Sequence, residues 1–130
     1  MIKTKDIGDI GEKVAADLLK SKKFKIVERN LHLSHNELDI VAISKAQGLI
    51  LFVEVKTRSV NADLYSPFGT PGSAVTMQKR KRTIEAARAY LAQKPEYQSL
   101  QPRLDVIEVY LSKNDHGVLN INHIENAFGV

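Results

Sequence analysis

The chain has 130 residues, a formal net charge of +4 and no cysteine. This length favours a single domain spanning residues 1–130, and the lack of cysteine excludes disulfides and thiolate metal sites. No apolar run reaches the ~18–20 residues of a membrane span, and the N-terminus lacks the apolar segment of a signal peptide. We therefore expect a cytoplasmic protein with no membrane partner, whose mildly basic charge is compatible with nucleic acid.

The first predicted element is an α-helix from about Ile7 to Ser21, because apolar residues recur there at steps of three and four. Glu12 lies beside this apolar stripe, at the margin between core and solvent. The pattern alone favours a surface carboxylate that is stabilised by the helix dipole. A first strand is predicted from Phe24 to Asn30.

The segment NELDIVAISKAQGLILFVEVKTR (residues 36–58) predicts a β-hairpin, because its apolar residues alternate along two strands. Strict alternation places Leu38, Ile40 and Ala42 on one side of the first strand. A four-residue loop over residues 45–48 sets apolar residues opposite each other and fixes the register. The predicted pairs are Ser44 with Leu49, Ile43 with Ile50, Val41 with Phe52, Asp39 with Glu54, and Glu37 with Lys56.

This register gives Asp39, Glu54 and Lys56 a common face. Two facing carboxylates repel each other, but a Cβ separation of about 4.5–5.5 Å suits a shared cation bound at roughly 2.0–2.6 Å. Oxygen ligands favour Mg²⁺ or Mn²⁺ over zinc. Lys56, about 6.5 Å along the strand, is placed to orient a water or contact a phosphate oxygen. The alternative is an exposed strand end whose charges simply meet solvent.

The second half of the chain predicts a long loop, a helix and two strands. In the loop over residues 59–73, Tyr65 and Phe68 fit either base stacking or packing against the body of the protein. Thr76 is the predicted N-cap of a helix that runs to about Lys94 with an apolar stripe of Met77, Ile84, Ala87 and Leu91. The first turns of this helix carry Lys79, Arg80, Lys81 and Arg82.

Cations are disfavoured at the positive end of a helix. The basic residues are therefore explained either by a phosphate backbone or by a solvated, solubilising face. The two last strands are predicted at residues 103–111 and 118–124, with Arg103 and Asp105 as a structural ion pair. His32 and His35 favour a solvent-exposed or phosphate-contacting role over metal ligation.

The ordered motifs resemble those of the PD-(D/E)XK nuclease superfamily, whose core order is αβββαβ. More narrowly, the chain resembles the small bacterial YraN family of predicted endonucleases, which are similar to archaeal Holliday junction resolvases. The resemblance rests on GEKVAADLL (11–19), ERN (28–30), NELDIVA (36–42), FVEVKTR (52–58), Phe68-Gly69, Lys79, EAARAYL (85–91), RLDVIEV (103–109) and NAF (126–128). Asn36 stands where the family usually has glycine.

The resemblance implies a restriction-endonuclease-like α/β fold with a mixed central sheet flanked by helices. It implies Asp39, Glu54 and the backbone carbonyl of Val55 as ligands of Mg²⁺ or Mn²⁺, with Lys56 as the catalytic lysine. Glu12 would assist the metal site from the first helix. The path of the nucleic acid would include Arg58, Lys79, Arg80 and Arg82.

The function expected from these residues is metal-dependent hydrolysis of phosphodiester bonds in DNA, including branched DNA. One alternative is a catalytically silent nucleic-acid-binding protein of the same fold, and another is a protein-interaction domain. The resemblance to junction-cutting enzymes also suggests a homodimer.

Overall fold

The computed structural model describes residues 4–33, 36–63 and 77–127. The predicted order αβββαβ is confirmed, and a further strand follows it. Several predictions concern residues outside this described part: those for His35, Tyr65, Phe68, the Thr76 cap and the Met77 side chain. The elements are α1 (Thr4–Ser21), β1 (Lys25–Leu33), β2 (Asn36–Ser44), β3 (Leu49–Val60), α2 (Met77–Gln93), a 3-10 turn (Pro95–Tyr97), β4 (Gln101–Ser112) and β5 (Val118–Ile124).

The strands form one five-stranded mixed sheet in the order β1-β2-β3-β4-β5. Only β3 and β4 are paired in parallel; the other three neighbouring pairs are antiparallel. Parallel neighbours need a crossover connection, and the segment containing α2 provides it. No helix in the described residues is long and apolar enough to cross a membrane.

Each face of the sheet carries one helix, so the sheet is the middle of three layers. On the α1 side, the buried helix residues are small or aliphatic: Ala15, Ala16 and Leu19. They pack on alternating strand residues, which include Ile40, Leu51 and Ile107. On the α2 side the buried apolar residues of the helix are Ala86, Ala87 and Tyr90. They pack in one cluster with strand residues that include Val41, Phe52 and Leu104.

The hairpin register is confirmed from the loop to the middle of the sheet. Ser44 pairs with Leu49, Ile43 with Ile50 and Val41 with Phe52, and residues 45–48 form the predicted loop with Gly48 at φ 69°. A positive φ suits glycine because it has no Cβ.

The outer part of the predicted hairpin is wrong. The β2–β3 ladder ends at Ile40–Val53, so the pairs Asp39–Glu54 and Glu37–Lys56 do not form. Instead β3 stays with β4 along its whole length and separates from β2. Leu38 was also placed wrongly, because it packs in the α2 cluster while Ile40 packs in the α1 cluster. Simple alternation fails where β2 leaves its partner.

Candidate active site

The separation of β2 from β3 places the Asp39 carboxylate between the two strands. The backbone amide of Val55 donates a hydrogen bond to Asp39 Oδ2 at 2.8 Å. Ladder amides point along the sheet toward the neighbouring strand, so this side chain takes the place of a backbone acceptor on β2. The carboxylate therefore lies close to the plane of the sheet, where it lines a cavity with Glu54 and acts electrostatically on Glu12.

Glu54 faces α2 and meets Asp39 in a small cavity. The cavity is lined by Glu37, Asp39, Glu54, Lys79 and Thr83, among others, and has a volume of about 10 Å³, room for roughly one water molecule or ion. Glu54 Oε1 lies 3.2 Å from the Lys79 ammonium. Its other oxygen, Oε2, is buried and has no hydrogen-bond partner among the described residues.

The electrostatics of this cavity work against the ionised form of Asp39. Burial raises the pKa of its carboxyl group, the hydrogen bond from Val55 lowers it, and the nearby charges of Glu54 and Glu37 raise it again, so the net direction is upward. A carboxylate that is destabilised in this way gains most from a positive charge close to it. At Asp39 this positive charge comes in part from Lys79, which lowers the pKa without reversing the upward shift.

Glu12 is brought toward Asp39 by an unusually close contact between α1 and β3. A Cβ atom built on Gly11 would lie only 1.8 Å from Thr57 Oγ1, so only glycine permits this approach. The neighbouring Glu12 has a buried Oε1 without a partner in the described part of the chain. Burial raises its pKa, the Asp39 carboxylate raises it further, and Arg29 opposes the shift.

Lys56 and Arg58 continue along β3 beyond Glu54 and are only partly buried. In the parallel ladder Lys56 is the register partner of Glu108, a buried carboxylate that accepts a hydrogen bond from Asn122 Nδ2 at 3.0 Å. Arg58 Nε is buried without a partner among the described residues. Alternation along β3 gives these two basic residues the same face as Glu54.

The basic residues of α2 divide into two environments. Lys79 contacts Glu54 and is part of the carboxylate cavity, whereas Lys81 and Arg82 are exposed. Arg80 is intermediate, and its Nε is buried without a partner in the described residues. The predicted nucleic-acid surface therefore begins at the carboxylates and continues onto exposed positions of the helix.

A complete metal centre is not assembled from side chains alone. Within the described ranges, no group of three or more His, Asp or Glu side chains is placed to hold a metal ion. Glu12 therefore does not complete a three-carboxylate centre with Asp39 and Glu54. The fit to a cation rests on the ion-sized cavity, the unpartnered oxygen of Glu54 and the raised pKa of Asp39.

A second buried carboxylate, Asp105, has a structural role. The predicted ion pair is confirmed, since Arg103 Nε and Nη2 each donate to Asp105 at 2.9 Å. Two further donors that the sequence pattern does not predict also contact Asp105: His123 Nε2 at 2.8 Å and the Asn126 amide at 2.9 Å. Burial alone would raise the pKa of Asp105, but the hydrogen bonds from His123, Arg103 and Asn126 outweigh it and hold that pKa below its usual value.

The fold and site define an α/β protein with one helix on each face of a mixed sheet and acidic residues gathered where two central strands separate. Residues 11–109 match the model of the uncharacterised protein family UPF0102, and the chain belongs to that family. This confirms the family-level part of the resemblance, since UPF0102 comprises the YraN proteins.

Three relatives cover nearly the whole chain. A UPF0102 protein of Caldanaerobacter subterraneus subsp. tengcongensis is 41% identical over 128 residues, which is 98% of each chain. One of Clostridioides difficile is 44% identical over 124 residues, covering 95% of this chain and 97% of the relative. One of Geotalea daltonii is 40% identical over 124 residues, covering 95% and 90%. The shared region therefore includes nearly all of the chain.

Proposed function

We propose that this protein is a metal-dependent nuclease that hydrolyses phosphodiester bonds in DNA. The observation that carries the proposal is the convergence of Asp39 and Glu54, from neighbouring strands, on one ion-sized cavity at the point where the sheet opens. The order of elements in the fold matches the order of the motifs that suggested a nuclease.

Asp39, Glu54 and the backbone carbonyl of Val55 are the proposed ligands of Mg²⁺ or Mn²⁺. Such an ion, when bound, would lower the pKa of a water molecule and offset negative charge on the phosphate. The chain supports this by holding Asp39 in place through the Val55 amide and by leaving Glu54 Oε2 without another partner among the described residues. Two ionised ligands side by side are costly until a cation neutralises them.

Lys56 is the proposed catalytic lysine, because it follows Glu54 on the same face of β3. Its ammonium would donate a hydrogen bond to a nonbridging phosphate oxygen or to the attacking water. Glu12 assists the metal site from α1, since the charge of Asp39 raises the pKa of Glu12. Arg58, Lys79, Arg80 and Arg82 would bind the phosphate backbone on either side of the scissile bond.

A second candidate function is nucleic-acid binding without cleavage. The Lys79–Glu54 ion pair favours it, because an ammonium that neutralises Glu54 reduces the need for a metal ion. Under this alternative the exposed basic residues of α2 still bind phosphates, and added metal ions have no effect on affinity. The binding would weaken as salt concentration rises.

Cleavage assays separate the two candidates. Purified protein is incubated with Mg²⁺ or Mn²⁺ and linear, branched or single-stranded DNA, and compared with Glu54→Gln and the exposed control Glu85→Gln. The nuclease proposal expects cleavage that Glu54→Gln abolishes and Glu85→Gln retains. Binding without cleavage under all these conditions would instead support the silent binder. Cleavage of branched DNA and a homodimer are part of the proposal. The branched substrate in this assay tests the first, and light scattering tests the second.

A further inference from the structure

A second cavity lies at the other end of the sheet, away from the proposed metal ligands. It reaches Ser44, five residues along β2 from Asp39, which corresponds to about 17 Å of strand. Its volume of about 480 Å³ lies within the roughly 300–1,000 Å³ typical of small-molecule sites. The proposed nuclease function makes no use of this cavity.

Three lysines from two parts of the chain line this cavity. Lys23 belongs to the connection after α1, Lys25 begins β1, and Lys45 lies in the β2–β3 loop. In the described part of the chain none of the three forms an ion pair. Among the lining residues that the structure describes, the single carboxylate, that of Glu96, offsets only one of these three positive charges. An anion within the cavity would offset the remaining repulsion.

The backbone at Lys23 gives an independent reason to connect these side chains with function. Helix α1 ends in a Schellman motif, with Phe24 N donating to Leu19 O and Lys23 N donating to Lys20 O, both at 3.0 Å. Lys23 occupies the left-handed position of this motif at φ 72°, where glycine is usual because it lacks a Cβ. A lysine is less favourable than glycine at this position. Binding of an anion by the Lys23 ammonium would explain why a lysine occupies it.

Two further lining residues, Tyr97 and Glu96, suit the base and the sugar of a nucleotide. The Tyr97 ring stacks on Tyr90, with centroids 6.3 Å apart and an interplanar angle of 15°. Because Tyr90 is buried, this contact fixes the orientation of the Tyr97 ring. Tyr97 gives the cavity an aromatic surface for a base, and Glu96 supplies a carboxylate that can accept hydrogen bonds from hydroxyl groups.

We propose that this cavity binds a nucleotide through its phosphate monoester. Lys23, Lys25 and Lys45 contact the phosphate, Tyr97 contacts the base, and Glu96 accepts from the ribose. The same phosphate chemistry is offered by a free mononucleotide and by the 5′-phosphorylated end of a nucleic-acid strand. The proposal does not depend on the nuclease function, because the cavity lies apart from Asp39 and Glu54.

The test is a titration of ¹⁵N-labelled protein followed by amide chemical shifts, in EDTA so that no metal ion contributes. The probes are AMP, adenosine and inorganic phosphate. We expect AMP to shift the amides of residues 23–25, 43–46 and 96–97, and to bind at least tenfold more tightly than adenosine or inorganic phosphate. Equal binding of adenosine or of inorganic phosphate, or no shifts at this cavity, would overturn the proposal.

Variants provide the matched comparison. The double variant Lys25→Gln/Lys45→Gln should lose AMP affinity at least tenfold, while the control Lys13→Gln/Lys20→Gln, with the same change of charge on α1, should keep it. Thermal melting verifies that both variants fold, and Lys45→Gln alone, in an exposed loop, serves if the double variant does not. Unchanged AMP affinity in the lysine variants would refute the assignment.

Oligonucleotides then identify the source of the phosphate. Short single-stranded RNA with and without a 5′-phosphate is added to the AMP complex, again in EDTA. RNA is used because its 5′-terminal ribose keeps the 2′-hydroxyl that Glu96 is proposed to bind. Displacement of AMP only by the phosphorylated strand assigns the cavity to strand ends, and no displacement by either strand assigns it to free nucleotides. Equal displacement by both strands would contradict recognition of a phosphate monoester.

Discussion

The ammonium of Lys79 lies 3.2 Å from Glu54 Oε1, so a basic residue of α2 neutralises one of the two proposed metal ligands. The Glu54 side chain is 10% exposed and that of Lys79 is 47% exposed, so the lysine can leave the pair at lower cost than the carboxylate. A metal ion entering the cavity would compete with Lys79 for Glu54. This contact connects cation binding to the basic surface of the helix.

The first prediction is that Lys79→Gln strengthens Mn²⁺ binding by about three- to tenfold, because the ion no longer competes with the ammonium. Isothermal titration calorimetry measures the change. Lys81→Gln is the control, since it removes the same charge from an exposed position on the same helix. An equal gain in both variants would mean that only net charge matters and that the Lys79–Glu54 contact does not control access.

The second prediction concerns the pH dependence of stability through Asp39. Folding raises the pKa of Asp39 above its usual value of 3.8. The protonated side chain therefore contributes stability below pH 3.8, and this contribution is lost as the pH rises through the pKa of the folded state. Asp39→Asn keeps an acceptor for the Val55 amide and removes the charge. In EDTA the variant should therefore unfold at a higher temperature than wild type at pH 7.

Near pH 3 this advantage should disappear, because Asp39 is then protonated in wild type as well. Thermal melting of both proteins between pH 3 and 7 provides the comparison. A stability gain that is the same at both ends of this range would show that charge repulsion at Asp39 is not its cause.

The third prediction tests the contact that positions Glu12. Gly11→Ala places a methyl group against Thr57, and overpacking of this kind costs about 1–3 kcal/mol of unfolding free energy. Gly8→Ala, in the same helix with nothing within 4 Å of the added Cβ, should stabilise by about 0.5–1 kcal/mol from helix propensity. Urea unfolding measures both.

A second variant connects this loss of stability to the contact itself. Thr57→Ala removes Oγ1 and Cγ2, two of the three Thr57 atoms that the new methyl group meets, and leaves Cβ in place. It should therefore recover part of the loss when combined with Gly11→Ala. Additive effects in the double variant would indicate that the helix does not approach β3 at this point.

Much of this fold could be predicted because local patterns and tertiary structure agree. The alternation of apolar residues in β2 and β3 fixed their register near the loop, where both strands are buried on two faces. The prediction failed at Leu38 and Asp39, where the Asp39 side chain replaces a backbone acceptor and the strands separate. Alternation assumes a continuous ladder and contains no information about where a ladder ends.

The site was only partly predictable for a related reason. Asp39 and Glu54 were found by their spacing on neighbouring strands, and both line one cavity. The contact of Glu54 with Lys79 depends on how α2 lies on one face of the sheet. The electrostatic influence between Asp39 and Glu12 depends on how α1 lies on the other face. Sequence spacing does not define the distances between side chains of a helix and a strand that are far apart in the chain.

The fourth prediction concerns the buried cluster around Asp105. Asp105→Asn leaves the Arg103 guanidinium without its buried partner, which should cost about 3–5 kcal/mol of unfolding free energy at pH 7. Folding lowers the pKa of Asp105 below its usual value of 3.8. The ionised carboxylate therefore contributes to the free energy of unfolding above pH 3.8, and this contribution is lost as the pH falls through the pKa of the folded state.

Denaturant unfolding at pH 7 and at lower pH should therefore show a difference between wild type and Asp105→Asn that decreases with acidification. Asp17→Asn is the control, because Asp17 is exposed and pairs only with its helical neighbour Lys13 among the described residues; such surface pairs contribute little. Comparable losses in the two variants would contradict the role assigned to the buried cluster.

The most direct measurement is calorimetric titration of Mn²⁺ into wild type, Asp39→Asn, Glu54→Gln and the exposed control Asp17→Asn. We predict saturable binding at one site in wild type and in Asp17→Asn, with a loss of at least tenfold in affinity in each of the other two variants. Binding of equal strength in all four proteins, or no saturable binding in wild type, would contradict the claim that these two carboxylates share a cation.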